Sequence, residues 1–221
     1  MGKIKLKVKA VIFDMDGVIT NTMPDHFHAW RSIFRKHGIP VNYYDVYSRE
    51  GQKGITSVKE IFAHHNKPID EKTMRRILKD KEILFKKTVK TRFIPGARRF
   101  LRYLHNENFL LALVTGTSRH ELHQILPRRI YNLFSVSVTG SDVKSGKPHP
   151  EPYLKALQRL KIKREDAVVI ENAPFGIRSA KKAGLRCLAI TTSLPKRYLK
   201  NADWIFSSIR NLEEKAEFIR K

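Results

Sequence analysis

Two aspartates separated by one residue, Asp14 and Asp16, end an apolar run that begins at Val8 and are followed by Gly17. Carboxylates this close repel each other unless a cation or a proton lies between them. The pair therefore predicts either a hard-metal site or an acid/base pair. A simple Asp-Gly turn after a strand is the structural alternative, so the interpretation depends on partners elsewhere in the chain.

Three later segments also follow apolar runs with polar side chains. Thr115 and Gly116 supply a hydroxyl and a free backbone suited to an anion, and Lys147 lies in a proline-flanked loop. Glu171 and Asn172 add further oxygen ligands after the next apolar run. Because ligands bind at the carboxyl ends of parallel strands, these four strand ends together predict a site for a hard metal and a phosphate group.

Apolar runs alternate with segments of helical periodicity along the chain. This alternation predicts an α/β fold with a Rossmann-like parallel sheet, whose strands would position these residues. The predicted strands are Val8–Phe13, Phe109–Thr115, Ser135–Thr139, Ala167–Ile170, Cys187–Thr191 and Trp204–Phe206. Between the first two lie roughly 70 extra residues with mostly helical periodicity, more than a crossover needs. We therefore predict a core domain of residues 1–22 and 93–221 and a helical cap domain of residues 23–92. The Lys-apolar alternation of residues 1–10 is typical of a strand.

Composition narrows the class of protein. The chain has 221 residues with 44 Lys+Arg, 21 Asp+Glu, a net charge of +23 and one cysteine, Cys187. A single thiol excludes an intramolecular disulfide framework and favours a reducing compartment. Apolar runs fall short of the roughly 20 residues of a spanning helix, and lysines interrupt any signal-peptide core, so we expect a cytoplasmic protein with no membrane partner.

The excess positive charge is spread along the chain. The predicted cap holds 16 of the 44 Lys+Arg and 8 of the 21 Asp+Glu, and the rest of the excess lies in the core. A nucleic-acid-binding protein is the alternative from another functional class, but no base-reading module is present and the charge is not concentrated in a tail. This distribution disfavours nucleic acid as the primary partner. The oligomeric state is not predicted.

The ordered motifs resemble those of the haloacid dehalogenase superfamily. The match runs from about Val8 to Phe206 and includes Asp14-x-Asp16-Gly-Val, Thr115, Lys147 within Gly-Lys-Pro-x-Pro, and Glu171-Asn-Ala-Pro-x-Gly. It is most similar to the branch with a helical cap after the first motif, which contains β-phosphoglucomutase and phosphoglycolate phosphatase-like phosphatases. The resemblance implies a Mg²⁺-dependent phosphatase that hydrolyses a small phosphorylated metabolite through an aspartyl-phosphate intermediate.

The resemblance also implies roles for individual residues. Asp14 would be the nucleophile, Asp16 the general acid and base, and Thr115, Gly116 and Lys147 the phosphoryl-binding residues. Metal ligands would come from Asp14, the main-chain carbonyl of Asp16, and Glu171 or Asn172. In the cap, His26 would donate a hydrogen bond near Asp16, and Arg49 and Lys53 would contact substrate from a loop that resembles the cap specificity loop of the family.

One departure concerns the metal site, because the family commonly has Asp where this chain has Asn172. An amide oxygen is an acceptable ligand without charge, so we expect weaker Mg²⁺ binding than an acidic pair would give.

The enzymatic alternative is a β-phosphoglucomutase-like sugar phosphomutase. It is disfavoured because the nearest cation after Gly51 is Lys53, where an Arg is expected in mutases. A dehalogenase is disfavoured because Asp16 is not expected in that branch. A phosphonatase is disfavoured because it needs a cap lysine, and Lys53 is not at the expected spacing.

Overall fold

The computed structural model describes residues 2–221, and its centre is a six-stranded, all-parallel sheet in the order β4-β3-β2-β5-β6-β7. The sheet strands are β2 (Ala10–Phe13), β3 (Leu110–Val114), β4 (Val136–Val138), β5 (Ala167–Glu171), β6 (Arg186–Ile190) and β7 (Trp204–Phe206). Every residue of β2 and β5 is buried, as expected for strands covered on both faces. The predicted α/β fold is confirmed.

The register of the sheet brings the predicted functional residues together. Phe13 of β2 pairs with Leu113 of β3 on one side and with Ile170 of β5 on the other. Asp14 and Glu171 therefore follow adjacent strands at the same level, and Thr115 comes one residue after the end of β3. All lie at the carboxyl edge of the sheet.

The core helices cover both faces of the sheet. They are α5 (Ala97–Asn106), α6 (Arg119–Ile125), α7 (Arg128–Tyr131), α8 (Glu151–Leu160), α9 (Pro174–Lys182) and α10 (Ile209–Lys215). Phe100 and Leu104 of α5 pack in the apolar cluster on one face, and Tyr153 and Ala156 of α8 pack in the cluster on the other face. The sheet is thus the middle layer of a three-layer core.

A helical insertion lies between β2 and β3, as the sequence predicts. It contains α1 (Met23–Lys36), α2 (Tyr43–Tyr47), α3 (Gly54–His64) and α4 (Glu71–Thr88). Phe34, Phe62 and Ile77 form part of a separate apolar cluster in this cap, which gives it a small core of its own. The segments that enter and leave the cap are bonded side by side, since Asn21 N–H donates to Arg92 O at 2.8 Å and Ile94 N–H donates to Ile19 O at 2.9 Å. The exact domain boundaries, residues 22/23 and 92/93, stay a prediction.

The first predicted strand, Val8–Phe13, is wrong as a single element. The structure has β1 (Ile4–Val8) and β2, which are separated at Lys9. Lys9 N–H donates to Asp166 O at 2.8 Å, and β1 pairs in parallel with β8 (Ala216–Arg220) in a separate two-stranded sheet. Within residues 2–221, no helix combines the length and apolar character that crossing a membrane requires.

Candidate active site

Lys147 joins the two buried carboxylates that follow β2 and β5. Its Nζ donates to Asp14 Oδ1 at 2.6 Å, to Glu171 Oε1 at 2.7 Å and to Val114 O at 3.2 Å. The side chains of Lys147, Asp14 and Glu171 are at most 1% exposed. Because a buried charge is costly unless it is paired, the lysine and the two carboxylates depend on one another.

Burial is the largest single influence on the pKa values of Asp14 and Lys147. Desolvation raises the pKa of Asp14 to about 8, and the negative charges of Glu171 and Asp16 add to the effect while Lys147 opposes it. Burial alone would lower the pKa of Lys147, but Asp14 and Glu171 outweigh it and raise the pKa above its ordinary value. Lys147 therefore keeps its charge, and Asp14 needs a further positive charge to remain ionised at neutral pH.

Asp16 lies in a different environment, among hydroxyl donors. Thr22 Oγ1 donates to Asp16 Oδ1, while Thr117 Oγ1 and Thr115 Oγ1 donate to Asp16 Oδ2 at 3.2 Å and 3.4 Å. Burial would raise the pKa of Asp16, but His26, Thr22 and Thr117 together hold it below its ordinary value. The pKa values of the two aspartates are thus shifted in opposite directions, and without a metal or substrate the surroundings favour a protonated Asp14 and an ionised Asp16.

Two buried oxygens beside this pair have no hydrogen-bond partner, Asp14 Oδ2 and Asn172 Oδ1. Asn172 is held by its other end, because Nδ2 donates to Asp16 O at 3.1 Å and to Ser193 Oγ at 2.7 Å. Unpaired buried acceptors are costly and call for a donor or a cation. An anionic carboxylate, an amide oxygen and a main-chain carbonyl fit the oxygen ligands that Mg²⁺ prefers.

Glu171 differs from Asn172, since both its oxygens already accept hydrogen bonds. Oε1 accepts from Lys147 and from Tyr153 OH at 2.8 Å, and Oε2 accepts from the N–H groups of Asn172 and Ala173 at 2.9 Å and 3.2 Å. The described residues contain no cluster of three His, Cys, Asp or Glu side chains suited to a metal ion. Any metal here would depend on Asp14, Asn172 and main-chain oxygen.

The cap closes directly over these residues through the loop between α2 and α3. A Cβ added to Gly51, whose φ is +77°, would lie 2.2 Å from Lys147 Cδ, and one added to Gly116 would lie 2.7 Å from Gly51 Cα. Two backbones approach this closely only without side chains. Asp14 and Asp16 consequently have no solvent exposure.

His26 connects Asp16 to a buried cap lysine. His26 Nε2 lies 3.4 Å from Asp16 Oδ1, and Nδ1 lies 3.2 Å from Lys81 Nζ of α4. Because an ammonium only donates, Nδ1 accepts and Nε2 carries the proton that faces Asp16. Burial and the charge of Lys81 lower the pKa of His26, so this imidazole stays neutral at pH 7.

A cavity of about 250 Å³ lies between cap and core, and its lining includes His26 and Thr117, which contact Asp16. The predicted substrate residues His26, Arg49, Lys53 and Gly116 line it. Arg49 is partly engaged, since Nη1 donates to Asp45 O at 2.9 Å and Nε lies 3.5 Å from Glu60 Oε2. The structure therefore brings these four predicted residues to one cavity, whereas the buried residues Asp14, Asp16, Thr115 and Lys147 do not line it.

Residues 11–190 match the protein-family model described as haloacid dehalogenase-like hydrolase. The chain belongs to this family. The predicted family, its capped α/β fold and its class of activity are thereby confirmed, and this haloacid dehalogenase-like protein is a phosphoric monoester hydrolase.

Relatives of this hydrolase include enzymes of two kinds. It is 35% identical over 185 residues to a phosphorylated carbohydrates phosphatase from Thermotoga maritima, covering 80% of this chain and 82% of that one. It is 32% identical over 198 residues to β-phosphoglucomutase from Bacillus subtilis, covering 85% of each chain. Among solved structures, a candidate β-phosphoglucomutase from Bacteroides vulgatus superposes with a TM-score of 0.85 at 32% identity, covering 95% and 88% of the two chains.

Several residues of this haloacid dehalogenase-like site were not predicted from the sequence. They are Thr22, Glu50, Lys81, Thr117 and Glu121, all of which contact Asp16 or line the cavity. The sequence does indicate that Lys81 is buried, because it lies four residues from both Ile77 and Phe85 on the buried face of α4. A lysine at an apolar position of a helix indicates a buried partner. Glu50 and Glu121 carry no comparable signal.

Proposed function

We propose that this chain is a Mg²⁺-dependent phosphatase that hydrolyses a small phosphorylated metabolite through an aspartyl phosphate on Asp14. The supporting observation is the group of Asp14, Lys147 and Glu171 with the unpaired oxygens of Asp14 and Asn172 beside it. A carboxylate that attacks a phosphate dianion needs its charge masked. Lys147 supplies one positive charge, and the unpaired oxygens leave room for a second.

Asp14 Oδ2 and Asn172 Oδ1 would hold the metal, together with the main-chain carbonyl of Asp16, which accepts one hydrogen bond from Asn172 Nδ2 and keeps a second lone pair free. Glu171 is not assigned as a ligand in this proposal because donors of the protein occupy both its oxygens. When bound, Mg²⁺ would neutralise charge on the phosphoryl oxygens and on the nucleophile. Glu171 instead orients Lys147 between itself and Asp14.

In the first step, the carboxylate of Asp14 attacks phosphorus while the bond from phosphorus to the substrate oxygen breaks. Asp16 donates its proton to that leaving oxygen, which departs as an alcohol. In the second step, Asp16 takes a proton from water, and the water oxygen attacks phosphorus to release phosphate and free Asp14. Thr115, Gly116 and Lys147 hold the phosphoryl oxygens in both steps.

Asp16 must acquire a proton before the first step, although the resting structure holds its pKa low. A phosphate dianion bound beside Asp16 raises that pKa, since two negative charges disfavour each other. His26, whose Nε2 proton faces Asp16 and whose Nδ1 contacts Lys81, is placed to hold the carboxyl group in position. Full burial of both aspartates under the cap excludes bulk water during phosphoryl transfer.

The assay that tests this proposal is phosphate release from p-nitrophenyl phosphate with Mg²⁺. Asp14→Asn removes the nucleophile, and we expect a loss of turnover of at least about 1,000-fold. Asp80→Asn, the same change at an exposed residue of α4, is the matched control and should keep wild-type activity. Substantial activity in Asp14→Asn would refute the assignment of the nucleophile.

A sugar phosphomutase remains the competing activity because a mutase is among the relatives. A panel of sugar phosphates, phosphoglycolate and nucleotides, followed for both free phosphate and isomerised product, separates the two. The phosphatase proposal expects phosphate release without isomerisation. A cytoplasmic location stays a prediction from the sequence.

A further inference from the structure

A second cavity lies at the amino edge of the sheet, on the side away from Asp14 and Asp16. Its volume is about 560 Å³. The residues that line it are Lys7, Arg164, Glu165, Gly184, Arg186 and Lys221. Strands β5 and β6 begin beside this cavity and run to the opposite edge of the sheet, where Glu171 lies. The cavity is therefore separate from the proposed catalytic site.

Two of the cations in this cavity meet at a neutral atom. Arg186 Nη2 donates to the main-chain oxygen of Glu165 at 3.4 Å, and Lys221 Nζ donates to the same oxygen at 3.5 Å. The two positive groups are thus at most about 7 Å apart, a separation at which like charges repel. A carbonyl oxygen carries no net charge and does not neutralise them.

The carboxylates beside this group are too few to balance it. Asp166 accepts from Lys221 at 2.8 Å, but its other oxygen lies 3.1 Å from Lys9 Nζ, so one carboxylate serves two lysines. Glu165 is the single acidic side chain in the lining, and it is exposed. With Lys9 and Asp166 included, five cations face two carboxylates, which leaves an excess of three positive charges.

The backbone fixes the two arginines at neighbouring points. Arg186 is the first residue of β6 and pairs with Val168 of β5 in the sheet. Arg164 begins the 3₁₀ turn before β5, and a Cβ on Gly184 would lie 2.8 Å from its Nη1 and 3.1 Å from its Cδ. The Arg164 side chain therefore lies along bare backbone. Guanidinium groups bind phosphate through two parallel hydrogen bonds, so two of them suit an anion with more than one phosphate group.

Protection of a sheet edge accounts for only part of this charge. Lysines on an exposed strand discourage pairing with other chains, and Lys7 lies on β1, which pairs with β8 in the two-stranded sheet. Arg164 lies outside the strands, and Arg186 lies in β6 inside the six-stranded sheet. Their placement around one cavity indicates a ligand instead.

We propose that this cavity binds the polyphosphate group of a small molecule, a linear chain of two or three phosphates, at a site apart from the catalytic one. The excess of positive charge matches an anion with several negative charges, and the cavity has room for more than one phosphate group. Nucleoside triphosphates and inorganic tripolyphosphate both carry this group. The lining contains no aromatic side chain on which a base could stack, so the phosphates supply the binding energy.

The test is isothermal titration calorimetry of the full chain with sodium tripolyphosphate, ATP and orthophosphate. Buffer freed of divalent metal keeps the proposed catalytic site from competing. Tripolyphosphate should bind wild type saturably, at least about 10-fold more tightly than orthophosphate, and less tightly as salt rises. Tighter binding of ATP than of tripolyphosphate identifies a nucleotide as the source of the group, and the reverse order identifies inorganic polyphosphate; either order supports the proposal.

Substitutions with opposite expected effects locate the site. Arg164→Gln/Arg186→Gln should weaken tripolyphosphate binding at least about 10-fold, because it removes both guanidinium groups. Glu165→Gln should tighten binding about twofold or more, because it removes the negative charge that faces the anion. If the double variant unfolds at a lower temperature than wild type, Lys7→Gln, at an exposed position, replaces it and should weaken binding about threefold.

The matched control removes the same charge elsewhere. Arg35→Gln/Arg76→Gln changes two exposed arginines of the cap helices α1 and α4 and should bind tripolyphosphate within about twofold of wild type. The inference is overturned if wild type shows no saturable binding at low salt. Equal affinities of wild type and Arg164→Gln/Arg186→Gln, or an equally large loss in the cap control, overturn it too. Because no catalytic residue or metal takes part, failure of the phosphatase assay leaves this result unaffected.

Discussion

The substitution Asn172→Asp tests the metal site because it changes one buried oxygen ligand from neutral to charged. Asn172 Nδ2 donates to Asp16 O at 3.1 Å and to Ser193 Oγ at 2.7 Å, whereas its Oδ1 is unpaired. An aspartate cannot donate either bond. Ser193 can turn its hydroxyl to donate instead, but the carbonyl of Asp16 would then face a carboxylate.

The expected cost without metal follows from these contacts. One lost hydrogen bond costs about 1 kcal/mol, and burial of the added carboxylate without a donor or a cation costs roughly a further 2 kcal/mol. For a chain of this size, a loss of about 3 kcal/mol lowers the thermal midpoint by roughly 6–12 °C. With Mg²⁺ the same charge becomes favourable, and we expect binding at least about 10-fold tighter than in wild type, worth about 1.4 kcal/mol.

The assay is thermal unfolding across a Mg²⁺ titration, with EDTA as the metal-free reference. Asn172→Asp should unfold at a lower temperature than wild type in EDTA and should gain more from Mg²⁺, by about 3 °C or more at saturation. Asn132→Asp, at an exposed residue after α7, controls for the added charge. If Asn172→Asp and wild type show the same Mg²⁺ dependence of unfolding and of turnover, Asn172 is not a ligand.

Three further predictions concern the cap and the core. Lys81→Met leaves His26 Nδ1 without its donor, and we expect kcat for p-nitrophenyl phosphate to fall about 10-fold, whereas an unchanged kcat would remove Lys81 from the site. Gly51→Ala puts a Cβ 2.2 Å from Lys147 Cδ, so cap closure should fail and kcat/KM should drop about 100-fold; wild-type kinetics would show that the loop adapts. Burial opposes ionisation of Asp142, but hydrogen bonds from neighbouring Thr and Arg side chains outweigh it and lower its pKa. Asp142→Asn should therefore cost about 2–3 kcal/mol in urea unfolding at pH 7. Because the folded pKa lies below the unfolded value of about 3.9, this deficit should shrink as the pH falls below about 4, and a deficit independent of pH would contradict the ionic origin.

The order of the motifs along the chain was enough to predict the fold and the residues of the site. A parallel sheet brings the carboxyl ends of its strands to one edge, so residues that follow apolar runs must meet there. Lys147 accordingly lies within hydrogen-bonding distance of both Asp14 and Glu171. The break at Lys9 was missed because it depends on a hydrogen bond to Asp166, which is distant in sequence.

Strand periodicity and motif order are properties of the chain alone, and they predict which chemical groups meet at the sheet edge. The roles of those groups depend on contacts that form only in the folded protein. Glu171 is saturated by Lys147 and Tyr153, whereas Asn172 Oδ1 and Glu121 Oε1 are left without donors. Hydrogen-bond saturation depends on partners from distant parts of the chain, and residue type and spacing do not encode which buried oxygen remains free.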